Sequence, residues 1–93
     1  VMNVPNPMSE KTEFTFELYN DKAAQITLRI YTVSGRQIRT LQPGLMDVGF
    51  NSLHWNGLDD DGNRLANGLY LYKITAKENN EKAEKIGKLL IAR

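Results

Sequence analysis

The chain has 93 residues, 41% hydrophobic and 25% charged, with a formal net charge of +1 and no cysteine. That length suits one domain with one modest core. The charge balance argues against a nucleic-acid footprint, which needs a clustered basic excess, and the missing cysteines exclude disulfides and thiolate chemistry.

No apolar run approaches the roughly 20 residues that a membrane helix needs, so direct membrane insertion is not expected. No N-terminal signal peptide is visible. The chain opens on Val1, and residues 1–93 are read as a single domain cut from a larger protein.

Val4-Pro5-Asn6-Pro7 opens the chain with two prolines, which oppose regular strand pairing and favour an extended lead-in. Thr12 to Leu18 alternates polar and apolar, the pattern of a half-buried strand with Phe14, Phe16 and Leu18 inward. Asn20-Asp21-Lys22 is a turn signal. Ala24 to Thr32 alternates again, with Ala24, Ile26, Leu28 and Ile30 inward and Gln25, Thr27, Arg29 and Tyr31 outward.

Ser34-Gly35 marks a hairpin, and Gln37 to Leu41 forms the next strand. There Ile38 and Leu41 are three apart, which breaks the period of two and points to a bulge or twist. Pro43-Gly44 is read as a chain turn. Leu45 to Gly49 is either a linker or a short edge strand.

The organising stretch is Phe50 to Ala76, a strand, an acidic Gly-rich turn and a second strand. Phe50 to Trp55 forms the first strand. Gly68 to Ala76, rich in aromatic and branched residues, forms the second. Between them, Asn, Asp and Gly tolerate positive φ and satisfy their own backbone, the mark of tight turns. Trp55 is the only tryptophan. Lys77 to Lys82 is a charged loop with Asn79-Asn80 at its tip, and the last strand spans about Glu84 to Ala92.

No segment shows a helical period. Six or seven short strands separated by turns make an all-β antiparallel sandwich of about seven strands. Its expected core is Phe14, Phe16, Ile26, Leu28, Ile30, Leu53, Trp55, Tyr70, Tyr72 and Ile74.

Few residues are placed for chemistry. Asp59, Asp61 and Asn63 copy the first three ligand positions of a calcium loop. Gly62, however, sits two positions early, and Tyr70 stands where a bidentate Glu belongs. The same residues form a polar β-turn with Gly62 at positive φ, and no metal or cofactor is expected. His54 points away from Trp55. Ser52 shares its face, but no elbow or oxyanion hole accompanies the pair.

The acids are crowded into one turn, a poor arrangement for the paired carboxylates of glycoside hydrolysis. Ser34-Gly35-Arg36 lacks the glycines and lysine of a phosphate loop. Tyr19, Tyr31, Tyr70, Tyr72 and Trp55 are candidates for an aromatic sugar platform, although alternation assigns most of them to the core or a sheet face.

A series of motifs, in order, resembles the C-terminal domains of the type IX secretion system. They are Val4-Pro5-Asn6-Pro7, Ile30 to Leu41 (IYTVSGRQIRTL), Trp55-Asn56-Gly57 with Asp59 and Gly62, Leu65 to Tyr70 (LANGLY) and Lys85 to Ile91 (KIGKLLI). Tyr31 to Arg36 and the long acidic turn look most like the C-terminal domain of the sortase PorU. The Trp-x-Gly-x-Asp and Asn-Gly-x-Tyr pattern is also similar to the Ig-like domain of the flagellar hook-capping protein FlgD.

The resemblance implies an Ig-like sandwich and a non-catalytic sorting or surface-anchoring role for a secreted protein at the outer membrane of a Gram-negative bacterium. The implied partner is a barrel protein of the PorV kind, and any sortase or cysteine-protease chemistry would lie upstream. The alternatives are a structural module of the hook-capping kind and a carbohydrate-binding accessory domain.

The expected recognition surface is the C-terminal strand: Lys85, Lys88, Leu89, Leu90, Ile91 and Arg93. Ile86, Leu89, Leu90 and Ile91 cannot all face one core, and burial on both sides is hard to arrange in so small a sandwich. Such a strand either meets a partner, by strand addition at an edge guarded by lysines, or is simply the last core strand.

Overall fold

The computed structural model describes residues 2–4, 11–18, 23–78 and 81–93. They form seven strands: β1 (Met2–Val4), β2 (Thr12–Leu18), β3 (Ala24–Thr32), β4 (Gln37–Met46), β5 (Gly49–Trp55), β6 (Gly68–Glu78) and β7 (Glu81–Ile91). Every strand pair is antiparallel. One sheet has the order β1-β2-β5 and the other β4-β3-β6-β7. This is the expected Ig-like sandwich.

The alternation in β2 and β3 is realised residue by residue. Phe14, Phe16, Leu18, Ala24, Ile26, Leu28 and Ile30 are all buried. Trp55, Tyr70, Tyr72 and Ile74 join them, while Leu53 is only partly buried and packs against the cluster. Leu89 and Ile91 complete the core, as the last-core-strand reading had it, together with Leu65, which was not anticipated there. Phe14 links the layers: its ring lies 4.9 Å from Tyr72, edge to face, and 6.4 Å from Trp55.

Several boundaries differ from expectation. β1 pairs with β2 from Met2↔Thr15 to Val4↔Glu13, so the pairing reaches the residue before Pro5. Residues 5–10 and the turn signal at 20–22 lie outside the described residues. Pro43-Gly44 does not turn the chain: β4 runs through it to Met46. Register explains how, since Ile26 pairs with Gly44 but Leu28 with Leu41, leaving one extra residue on β4. β4 lies at a sheet edge, where a bulge tolerates a proline that cannot donate to the ladder.

A second shift, between Ile30↔Arg39 and Tyr31↔Gln37, places the expected irregularity at Ile38. Leu45–Gly49 is neither linker nor separate strand. Leu45 and Met46 end β4, Asp47 and Val48 cross between sheets, and Gly49 starts β5. The Asn51 amide holds that crossing by donating to the carbonyls of Asp47 at 2.8 Å and Gly49 at 3.2 Å. The charged loop is also shorter than expected. β6 extends to Glu78 and β7 begins at Glu81, with the predicted tip, Asn79-Asn80, outside the described residues.

Gly87 sits directly over a core ring. A Cβ there would lie 2.3 Å from the Cζ of Tyr72, so only glycine lets β7 lie flat across that side chain.

Removing Trp55 deletes a large, almost fully buried side chain beside Phe14. Trp55→Ala is expected to cost about 3–5 kcal/mol, close to the whole stability of a small domain. Urea unfolding followed by far-UV circular dichroism measures it.

Candidate functional site

The acidic turn is built around its own backbone. Trp55 donates its indole N–H to the Leu58 carbonyl at 2.9 Å, and Asn56 Oδ1 accepts from Leu58 N–H at 3.2 Å, so the chain wraps onto the tryptophan. Asp59 Oδ1 accepts from the N–H groups of Asp61 and Asn63, each at 2.9 Å. The Asp59 N–H donates to Asn63 O, and Gly62, at φ +83°, donates to Asp59 O. The bonds to Asp59 Oδ1 are the side-chain-to-backbone bonds of an Asx turn, and the other two are backbone–backbone bonds that close it.

Asp60 does something else: it docks the turn onto β4. Its N–H donates to Ile38 O at 3.0 Å, its carboxylate accepts from Thr40 N–H at 3.1 Å, and it lies 3.6 Å from the Arg39 guanidinium. The turn therefore covers part of the β4 edge. Among the described residues no group of three or more His, Asp or Glu could hold a metal ion. The weak candidates Asp59, Asp61 and Asn63 are joined by backbone bonding instead.

His54 is 79% exposed, 4.0 Å from Glu13, and Ser52 is exposed two residues along. An open groove of about 250 Å³ runs past the imidazole, lined by Lys11, Thr12, Arg39, Leu41, His54, Trp55 and Asn56. Sequence reasoning missed it because its residues come from β2, β4 and β5 and their flanks, and only the packing of the two sheets joins them. The sugar platform is not formed: Trp55, Tyr70 and Tyr72 are buried, and Tyr19 lies outside the described residues. Tyr70 donates its hydroxyl to Ala66 O at 2.7 Å. Tyr31 is half-buried, with the Lys73 ammonium 5.9 Å above its ring.

The C-terminal strand divides its residues between two tasks. Leu89 and Ile91 are fully buried, opposite Tyr70 and Gly68, and belong to the core. Lys85, Lys88 and Leu90 are exposed. Arg93 is exposed yet anchored: its N–H donates to Asn67 Oδ1 at 3.1 Å, and its guanidinium donates to the Leu65 carbonyl. The structure thus keeps Lys85, Lys88, Leu90 and Arg93 at the surface and withdraws Leu89 and Ile91 from it.

The outer face of β6 and β7 carries the main charge cluster. Glu84 accepts from Thr75 at 3.3 Å and lies 3.4 Å from Lys73 and 3.8 Å from Lys82. Partial desolvation pushes its carboxyl up, but attraction to Lys73 and Lys82, with the hydrogen bonds from Lys73 and Thr75, outweighs it and holds the group below the ordinary glutamate range. Burial pushes the Tyr72 hydroxyl up.

The fold and these surfaces define a structural Ig-like module, with backbone-satisfied turns rather than an assembled catalytic centre among its described residues. A family model described as the FlgD Ig-like domain matches residues 4–80, and the chain belongs to that family. The basal-body rod modification proteins FlgD of Salmonella typhimurium and Salmonella typhi are each 35% identical over 69 residues. Those matches cover 74% of this chain and 29% of each relative, so the chain spans less than a third of their length.

Among solved structures, dimeric latent PorU from Porphyromonas gingivalis is similar with a TM-score of 0.83 at 21% identity, over 98% of this chain and 9% of that one. FlgD from P. aeruginosa gives 0.73 at 16% identity, over 85% of this chain and 58% of that one. FlgD from Xanthomonas campestris, whose structure is titled for hook capping in flagellar assembly, gives 0.71 at 21%, over 90% and 60%.

Two outcomes test the acidic turn and its neighbour. Asp59→Ala leaves the exposed Asp61 and Asn63 N–H groups to water and is expected to cost about 0.5–1.5 kcal/mol; adding calcium to the unmutated chain is expected to leave its melting temperature unchanged. Glu84→Gln is expected to lower the melting temperature at neutral pH. The lowered folded-state pKa means the carboxylate stabilises the fold above the unfolded-state value and loses that effect as pH falls through the folded-state value. The gap between the variant and the parent should therefore close on acidification through and below the ordinary glutamate range, which thermal melts across pH will show.

Proposed function

We propose that this chain is a non-catalytic C-terminal sorting and surface-anchoring domain of a type IX secretion system protein, acting by protein–protein recognition at the outer membrane. Its partner is a secretion-system barrel protein of the PorV kind. The parent is a secreted, surface-located protein of a Gram-negative bacterium, and any cysteine-protease or sortase chemistry lies elsewhere in it. The recognition surface is the solvent side of β7 and the chain end, namely Lys85, Lys88, Leu90 and Arg93. Leu89 and Ile91 hold that strand to the core.

The observation that carries the reading is the reach of the likeness. The fold similarity to PorU extends over 98% of the chain, against 85% and 90% for the FlgD structures. The family model stops at residue 80, one residue before β7. The motif series from Val4 to Ile91 supports the same assignment.

A second reading has its own support. The family match and the 35% identity to FlgD favour a structural module of the hook-capping kind. The parent chain separates the two: the first needs this domain at the extreme C-terminus of a large secreted protein, and the second needs it inside a short flagellar protein.

The functional test replaces surface residues rather than deleting 89–93, since deletion would remove core side chains. A Lys85→Glu, Lys88→Glu, Leu90→Asp variant of the parent protein is expected to fold, by circular dichroism and melting, but to lose most of its display at the cell surface and its co-purification with the barrel partner. Undiminished display and capture would exclude β7 as the recognition surface.

A further inference from the structure

The first half of β7 carries a surface that the proposed recognition role uses only at Lys85. β7 is an edge strand of its sheet, with β6 on one side only. From Glu81 to Ile86 every residue is exposed, so neither face of this stretch is covered by the second sheet. Edge strands left in this state are templates for pairing with another strand.

Two of the charges here face like charges on β6, while Glu84 pairs with Lys73 of β6 and with Lys82. Glu81 stands directly opposite Glu78, and Lys82 directly opposite Lys77. Like charges in directly opposed antiparallel positions destabilise the pair. Glu81 to Lys85 reads Glu-Lys-Ala-Glu-Lys. Read backwards, the same five residues carry the opposite charge at every charged position.

We infer that the Glu81–Lys85 edge of β7 pairs antiparallel with the same segment of a second copy of this chain, in a register centred on Ala83. In that register Glu81 faces the second copy's Lys85, Lys82 faces its Glu84, and the two Ala83 residues face each other. The two-fold axis produces each ion pair twice, which gives four opposite-charge pairs around a small apolar centre. Strand alternation makes the pattern consistent. Residues 81, 83 and 85 share one face of the sheet and 82 and 84 the other, and each proposed pair joins residues on one face.

Backbone bonds along the edge supply affinity and the charge order supplies register. Glu81 and Lys82, which meet like charges on the β6 side, meet opposite charges on the new side. The product is one continuous sheet running through both copies, with the four-stranded sheet of each contributing half. A five-residue contact is small, so the dimer is a weak one.

The absence of native cysteine makes the test direct. The 93-residue chain with Ala83→Cys as its single thiol is oxidised under mild conditions beside a Ser52→Cys control, which sits exposed on the other sheet. Ala83→Cys is expected to give predominantly disulfide-linked dimer, because directly opposed strand residues bring their Cβ atoms within about 4.5–5.5 Å, and Ser52→Cys is expected to give little.

In the Ala83→Cys background, Glu81→Lys alone or Lys85→Glu alone opposes like charges and is expected to slow cross-linking by about tenfold. The double swap Glu81→Lys with Lys85→Glu is expected to restore it. Both positions are exposed and the Glu84 cluster is untouched, and circular dichroism checks that each variant is folded. Cross-linking of Ala83→Cys no faster than Ser52→Cys, or no recovery in the double swap, overturns the inference. Neither readout depends on secretion or on the barrel partner, so a negative result here leaves the proposed sorting role standing.

Discussion

Phe14 is fully buried between Trp55 and Tyr72, and the rest of the sandwich depends on that contact. It joins β2 of the three-stranded sheet to β6 of the four-stranded one, while Trp55 lies beside it on β5. Large aromatic side chains bury the most area per residue, and tilted or edge-to-face ring pairs add to that burial. Two consequences spread from this point. The indole N–H, buried and needing an acceptor, draws the Leu58 carbonyl back over the ring and starts the acidic turn. The Tyr72 ring fills the space beneath β7 so completely that Gly87 is the residue that fits there.

The two edges of the four-stranded sheet are handled differently. On β4, a bulge at Gln42-Pro43 and a second at Ile38 disturb the ladder, and Asp60 then occupies Ile38 O and Thr40 N–H from outside. A disturbed and occupied edge is a poor template for another strand. On β7, the second half is tied to the body of the domain by Leu89, Ile91 and Arg93. The first half projects beyond the core with charges on both faces. Of the two edges of this sheet, the first half of β7 is thus the one left exposed on both faces.

The acidic turn shows how the spacing of a metal-site motif also serves structure. A carboxylate whose Oδ1 already accepts two backbone N–H bonds, as that of Asp59 does, has that oxygen and its orientation committed locally. Asp60 is committed to β4. The spacing Asp59-x-Asp61-x-Asn63 is as useful to a tight hairpin as to a cation, since both need oxygen acceptors arranged around a turning backbone.

The sequence by itself determined the layers and most of the core. In β2 and β3 the side-chain period of two is unbroken, so inward and outward faces could be assigned from Thr12 to Thr32 without a structure. The break in period at Ile38 and Leu41 likewise announced a bulge. What only the tertiary structure decided was anything that depends on neighbours across the sheets. Pro43-Gly44 carries a turn signature, yet at an edge strand a bulge absorbs it and the chain runs straight on. Ile86, Leu89, Leu90 and Ile91 are equally apolar as letters. Alternation puts Leu89 and Ile91 on one face and Ile86 and Leu90 on the other, and only the register with β6, which sets Leu89 opposite buried Tyr70, shows which of the two faces meets the core. The meaning of Glu81 to Lys85 is of the same kind: its charges become informative only once register places Glu78 and Lys77 opposite them, because electrostatic complementarity belongs to pairs and not to residues.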